Sequence, residues 1–285
     1  VDKGKLVVVA VRDEASGRIA AQRARQLAAP RDRLAFVHVA RAATLERLLA
    51  ARPGLMRVPP SGQAAAQPAW LTQLAREAGA DARCEVLDGV PGAAISEFAR
   101  EHRADAIVLA TQREGQIREL ILGSTALRVL RTAPCPVVVT RGRDPRPYER
   151  ALVAIDLDES GQRVALATGA LLGDVQIDLV HAFRLPQEGQ LRMRGLDERE
   201  IEQLRKFARE DLEPRLHAHR TAFPRAVVHV EYGFAASVIL ELVGKLRPDV
   251  LVLGKHRGSS THERMLGSIT QFLLYTCPTD VVLVP

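Results

Sequence analysis

An aspartate that ends one strand and a glycine-serine pair that opens a helix frame the part of this chain best suited to chemistry. In LVAIDLDESG, Asp156 follows the apolar run Leu152 to Ile155, and LVLGKHRGSSTHERMLGSIT carries Gly254 and then Gly267-Ser268. Glycine lets backbone N–H groups approach a phosphate without interference from a Cβ. A helix N-terminus adds N–H groups with no intrahelical acceptor and a partial positive charge. Such a loop can cradle a polyphosphate. Two roles are open to Asp156, a ligand contact at the strand end or a cap on the following helix. Ser268 also suits capping, worth about 1 kcal/mol. Gly254 also serves a tight strand exit. Arg257, followed by Gly258, can turn its guanidinium toward a phosphate, remain solvated, or obstruct the turn.

The same arrangement occurs earlier. IVLATQREGQIRELILGSTALRVL contains Gly123-Ser124, 144 residues before Gly267-Ser268, and the same offset relates Asp105 to Asp249, Gly89 to Gly233, Ile95 to Ile239 and Ala10 to Ala154. A period this long is a domain duplication, since solenoid units run to about 20–50 residues. A chain of 285 residues holds two domains, each with its own core. The sequence places them at residues 1–142 and 148–285. Gly142, Pro145 and Pro147 among charges mark a linker at about 141–149. The stretch ARPGLMRVPPSGQAAAQP, residues 51–68, is expected to be a surface loop.

These residues need elements to position them. In the first repeat, apolar runs predict strands at Leu6 to Val11, Leu34 to Val39, Arg83 to Leu87, Ala106 to Ala110 and Val137 to Thr140. Helices are expected around Ala20 to Ala28, Trp70 to Ala78, Ala94 to Ala99 and Ser124 to Arg131. The second repeat gives strands at Leu152 to Ile155, Ile177 to His181, Val227 to Glu231, Val250 to Leu253 and Val281 to Val284. Its helices are Val164 to Leu172, Glu198 to Leu216, Ser237 to Lys245 and Ile269 to Tyr275. Alternation of this kind predicts an α/β fold, two doubly wound domains with open parallel sheets. Ligands then bind beyond the carboxyl ends of the strands.

Both repeats resemble universal stress protein domains, and the whole resembles the tandem members of that family. Its nucleotide-binding members carry an Asp after the first strand and G-x2-G-x9-G-[ST] after the fourth. The second repeat keeps Asp156, Gly254, Gly267 and Ser268, with Arg257 at the middle glycine and Gly258 one place late. The first repeat keeps Gly123 and Ser124, with Arg12 then Asp13 at the aspartate and Ala110 and Arg113 at the other glycines. The resemblance implies sheet order 3-2-1-4-5 and ATP or a related adenine nucleotide, with Mg, chiefly in the second domain. It implies a site from Ala154, Ile155, Asp156, Ala182, Leu253, Gly254, Arg257, Gly258, Gly267, Ser268 and Ile269, and in the first domain from Val39, Gly123, Ser124 and Thr125. A role in stress response follows from the resemblance as well. The substituted glycines favour an alternative, a non-nucleotide, lipid-like ligand or a protein-interaction scaffold.

Composition narrows the field. The net charge is +6, but only Lys3, Lys5, Lys206, Lys245 and Lys255 are lysines, and the arginines are scattered without interleaved aromatics, so no specific nucleic-acid partner is expected. No run reaches the ~18 apolar residues of a membrane span, and the opening VDKGKLVVVAV has no signal-peptide profile, so the expected location is the cytoplasm without membrane contact. Cys84, Cys135 and Cys277 form no metal or disulfide pattern, and His217 with His219 falls on different helix faces. Packing suffices to explain Cys135. Without a Walker loop, a nucleophile elbow or an HExxH helix, the expectation is binding without fast turnover, slow ATP hydrolysis being left open. The short apolar strands Val137 to Thr140 and Val281 to Val284 predict an intrachain pseudo-dimer, or a homodimer through the same edges.

Overall fold

The computed structural model describes residues 4–40, 67–79, 82–111, 122–141, 146–255 and 266–285. The chain separates into two compact units, with the boundary between Pro147 and Tyr148. The first unit runs β1 Leu6–Ala10, α1 Glu14–Leu27, β2 Arg33–Val39, α2 Ala69–Ala78, β3 Arg83–Leu87, α3 Pro91–Glu101, β4 Ala106–Ala110, α4 Ser124–Thr132 and β5 Val137–Thr140. The second runs β6 Arg150–Ala154, α5 Glu159–Leu172, β7 Gln176–Phe183, α6 Glu188–Met193, α7 Glu198–Ala218, a 3-10 turn His219–Ala222, β8 Val227–Tyr232, α8 Ala235–Leu246, β9 Val250–Gly254, α9 Ser268–Thr276 and β10 Asp280–Val284.

All strand pairs within each unit are parallel, in the order β3-β2-β1-β4-β5 in the first and β8-β7-β6-β9-β10 in the second. Both are the expected 3-2-1-4-5. The central strands are sealed on both faces: Val8, Val9, Ile107 and Val108 in one unit and Leu152, Val153, Leu251 and Val252 in the other are fully buried. Crossover helices cover both sides of a parallel sheet, which is why these strands read as unbroken apolar runs.

The duplication extends to polar detail. Asp105 accepts the Leu6 N–H at 2.7 Å, and its own N–H donates to the Leu6 carbonyl. Asp249 accepts from the N–H groups of Glu149 and Arg150 at 2.8 and 2.9 Å, and its N–H donates to the Arg150 carbonyl. Each carboxylate fixes where the first strand of its domain begins. The predicted linker is therefore pinned at its far end, where Tyr148 also donates to Asp280 at 2.8 Å. Residues 51–66 of the predicted surface loop lie outside the described residues, and Pro68 is the N-cap of α2.

The structure adds one helix to the expected set. Between β7 and α7, Gln187 takes a left-handed turn at φ 56° and α6 follows. Glu188 of α6 accepts from Arg192, from Arg205 of α7 and from the Tyr232 hydroxyl of β8. Helix α7 begins with a capping box, Asp197 bonded to the Glu200 N–H and Glu200 to the Asp197 N–H. It continues past Pro214, an internal position where a backbone donor is lost.

Candidate functional site

At the carboxyl end of the second sheet lies a cavity of about 310 Å³. Ala154, Ile155 and Asp156 line it from β6 and the turn beyond, and Leu253 and Gly254 from β9. Gly267, Ser268 and Ile269 line it from the start of α9, and Ala182 from β7. Nine of the residues expected in the second domain thus share one cavity. Arg257 and Gly258 lie outside the described residues. The wall also includes Val180, His181, Ala235, Ile239 and Thr270. The loops after the first and fourth strands held the sequence signal. Thr270 extends the α9 wall, while the other four come from the second strand and from α8, where residue type gave no sign of a site.

The β6–α5 turn separates two aspartates by function. Asp158 is the N-cap, accepting from the N–H groups of Ser160 and Gly161. The Ser160 hydroxyl bond, with these backbone donors, holds the Asp158 carboxyl below its ordinary range. Asp156 is exposed at the cavity and no hydrogen bond engages its carboxylate among the described residues. The capping alternative for Asp156 therefore belongs to Asp158. In the first unit a single aspartate occupies this turn. Asp13 caps α1 through the Ser16 N–H at 2.9 Å and also pairs with Arg12 at 3.0 Å. Burial opposes its ionisation, but the Ser16 and Arg12 bonds outweigh it and lower the carboxyl. Asp13 does not replace Asp156, because it does the work of Asp158.

The other wall is a helix terminus. Gly267 and Gly123 are the N-caps of α9 and α4, neither with a side-chain cap bond, so the expectation that Ser268 caps is corrected: Ser268, like Ser124 in the first unit, is the first helical residue. Glycine cannot cap through a side chain, which leaves the first-turn donors open. The α9 ladder starts with the Gln271 N–H on the Gly267 carbonyl at 2.9 Å, so the Ser268, Ile269 and Thr270 N–H groups precede the first bond. Gly254 has a reason other than a tight exit, because a Cβ there would stand 2.9 Å from Val164 Cγ2.

Sheet order sets the polarity of the cavity. Strand β6 lies between β9 and β7, and neighbouring strands are about 4.8 Å apart, so the β9 and β7 ends are about 10 Å apart. One end offers N–H donors and a helix dipole suited to an anion. The other is walled by Val180, Ala182, Ala235 and Ile239, with His181 among them. Asp156 stands between. A small molecule with an anionic group at one end and an apolar group at the other fits this sequence of surfaces, and the volume is near the lower end of the roughly 300–1,000 Å³ of ligand pockets.

In the first unit, Val39 ends β2 and is buried, while Gly123, Ser124 and Thr125 open α4. Among the described residues no His, Cys, Asp and Glu group could hold a metal ion. His229 instead bonds Asp178 at 2.8 Å, and Arg150 meets the same carboxylate at 2.6 and 3.1 Å. Burial raises the Asp178 carboxyl, yet these two partners leave it lowered overall. Cys135 is buried, and burial with the nearby Asp105 pushes its thiol up to about 12, which suits packing and not reactivity.

The universal stress protein family model matches twice, over residues 4–141 and 147–285. The chain belongs to the universal stress protein family, as a tandem two-domain member. A universal stress protein of Methanocaldococcus jannaschii is 41% identical over 69 residues, which span 24% of this chain and 41% of that relative. One of Thermus aquaticus is 41% identical over 56 residues, 20% of this chain and again 41% of the relative. The matched stretches thus span about two fifths of the curated relatives' length. A universal stress protein structure from Archaeoglobus fulgidus covers 99% of this chain and 98% of its own, with TM-score 0.64 and 14% identity. A Pseudomonas aeruginosa structure of the same family name covers 99% and 93%, with TM-score 0.65 and 18% identity. These likenesses speak for the fold alone. No helix among the described residues is long and apolar enough to cross a membrane.

Proposed function

We propose that this protein acts in stress response by binding ATP or a related adenine nucleotide, with Mg, in the cavity of its second domain, and holds it without fast turnover. The observation that carries the reading is the division of labour at the β6–α5 turn: Asp158 caps the helix and Asp156 remains at the cavity without a partner among the described residues. Asp156 accepts from the ribose hydroxyls, the open N–H groups of α9 meet the phosphate nearest the sugar, and the apolar wall of β7 and α8 takes the base. The first domain, whose turn has Asp13 as cap and Arg12 beside it, does not hold a nucleotide in this reading.

Native mass spectrometry of the purified protein tests this directly. The expected result is an adenine nucleotide retained at one per chain, or taken up at that ratio when ATP and Mg are added. An acyl-bearing mass that resists displacement by ATP would overturn the reading in favour of a lipid-like ligand.

A further inference from the structure

Helix α8 carries a glycine that nothing in its own domain requires. Gly244 is exposed near the end of the helix, and a Cβ built on it would meet no atom within 4 Å among the described residues. Glycine weakens a helix relative to alanine, and Gly244 has no positive φ to justify it. The same place in the first unit is built differently. There Arg100 of α3 donates to the Thr132 carbonyl of α4 at 3.4 Å and pairs with Glu97, and the Ser96 and Thr132 hydroxyls bond at 2.7 Å. The Arg128 stem lies so close to Gly92 that a Cβ there would stand 2.6 Å from its own Cβ. The residues 144 positions after Arg100, Ser96, Arg128 and Gly92 are Gly244, Leu240, Phe272 and Ala236. The polar seal between the two helices has thus become small and apolar in the second unit, and Phe272 is left 48% exposed. Beside it, Glu241 and Lys245 stand on the exposed face of α8, and neither has an ion pair among the described residues.

We propose that this face, the outer side of α8 with the adjoining Phe272 of α9, is where two copies of the chain associate, second domain to second domain about a two-fold axis with the α8 helices antiparallel. A two-fold contact needs a surface complementary to itself. Glu241 and Lys245 are one helical turn apart, so in an antiparallel pair centred between them each glutamate meets the lysine of the other copy, twice over. Gly244 lets the two backbones approach closely. Phe272 and Leu240 supply the aromatic and apolar part of the contact. The matching residues of α3 are Glu97 and Glu101, so the first domain would set carboxylates against carboxylates, and its Arg100 fills the close approach. Only the second domain is built to pair in this way. Helix α8 has 12 residues and is about 18 Å long, so the contact belongs to the small class below about 1,200 Å² and gives a weak, concentration-dependent dimer. It uses no residue of the cavity wall, and it is distinct from the pairing of edge strands expected from the sequence.

Sedimentation velocity on the full chain, over a range of concentrations at low salt, tests this. The natural chain should dimerise with a dissociation constant on the order of 10 µM, as suits a contact of this size. Lys245→Glu makes the face acidic throughout, as in the first unit, and Glu241→Lys makes it basic throughout. Each alone should weaken the dimer by about tenfold or more, with the melting temperature retained, because both side chains are exposed and unpaired. An equimolar mixture of the two variants sets lysine against glutamate at both ends and should associate at least as tightly as the natural chain. Phe272→Arg, which installs the residue type of the first unit, should abolish the dimer. A natural chain that stays monomeric up to about 200 µM overturns the proposal. So does a dimer that both charge variants leave unchanged, which would place the contact on another surface, and so does a mixture that remains monomeric. Should Phe272→Arg melt early, the charge variants and their mixture decide, since neither change disturbs a packed side chain.

Discussion

Gly161 lies so close to Asp156 that a Cβ on it would stand 1.9 Å from the Asp156 carbonyl oxygen and 2.6 Å from Ile155 Cγ2. The first turn of α5 therefore presses on the backbone that carries the cavity aspartate. The matching glycine of the first domain, Gly17, is crowded by a side chain, with Leu74 Cδ1 at 2.6 Å. A flexible leucine can move and a carbonyl in a tight turn cannot. Gly161→Ala should cost about 2–3 kcal/mol, by analogy with overpacked cores, and Gly17→Ala about 1 kcal/mol or less. Urea denaturation of the two variants checks the ranking.

Exchanging the two aspartates of the same turn separates binding from folding. Asp156→Ala should abolish the thermal shift produced by ATP with Mg while leaving the melting temperature of the ligand-free protein within about 1 °C, since surface changes without partners cost little. Asp158→Ala removes a helix cap and should lower stability by about 1 kcal/mol. Arg12→Ala, in the first domain, should leave the shift intact. Differential scanning fluorimetry reads all three.

Acid sensitivity should concentrate on α6. The Tyr232 hydroxyl, then Arg205 and Arg192, hold the Glu188 carboxyl at about 2, against an ordinary value of 4.5. A depressed folded value gives stability that is fully present above the unfolded value and is lost as the pH falls toward the folded one. The anchoring of α6 to α7 and β8 should therefore weaken between about pH 4.5 and about pH 2. Glu188→Gln should be less stable than the natural chain at pH 7 and approach it near pH 2, as followed by circular dichroism melts.

The Asp178 carboxylate is nearly inaccessible, at 1% exposure, and depends on Arg150 and His229. Arg150→Leu leaves it with one partner and should cost about 2–3 kcal/mol, because a buried charge without its counter-ion is expensive. Arg150→Leu combined with Asp178→Asn should recover part of that loss. A double-mutant cycle from chemical denaturation gives the coupling.

Much of the fold is legible in the sequence because a buried parallel strand has no polar face to interrupt it, as in Val7 to Val9 and Val250 to Leu253. Helix α6 is not legible, since its six residues bury nothing and are held by Glu188 through partners distant in sequence. At the site, glycines and an aspartate announce the β6 and β9 loops through their types. Val180, Ala235 and Ile239 are ordinary core residues by type, and only the parallel pairing of β7 with β6 brings their region to the cavity. The role of Asp156 is open in the sequence for a related reason. An aspartate two residues further along a turn changes from ligand contact to cap, and one-residue geometry is invisible to spacing arguments.

The edge-on contact of Trp70 with His38 has a spectroscopic consequence. Trp70 is the one tryptophan of the chain and stands on α2 of the first unit. Indole emission therefore reports on the first half alone, and the half with the open cavity is dark in that channel. The two copies of the ancestral domain can thus be watched separately in the unmodified protein: intrinsic fluorescence follows the unfolding of the first, while bound ligand protects the second. A nucleotide confined to its own domain leaves the emission unchanged, and a shift in emission on adding it measures how far the signal travels from one half to the other.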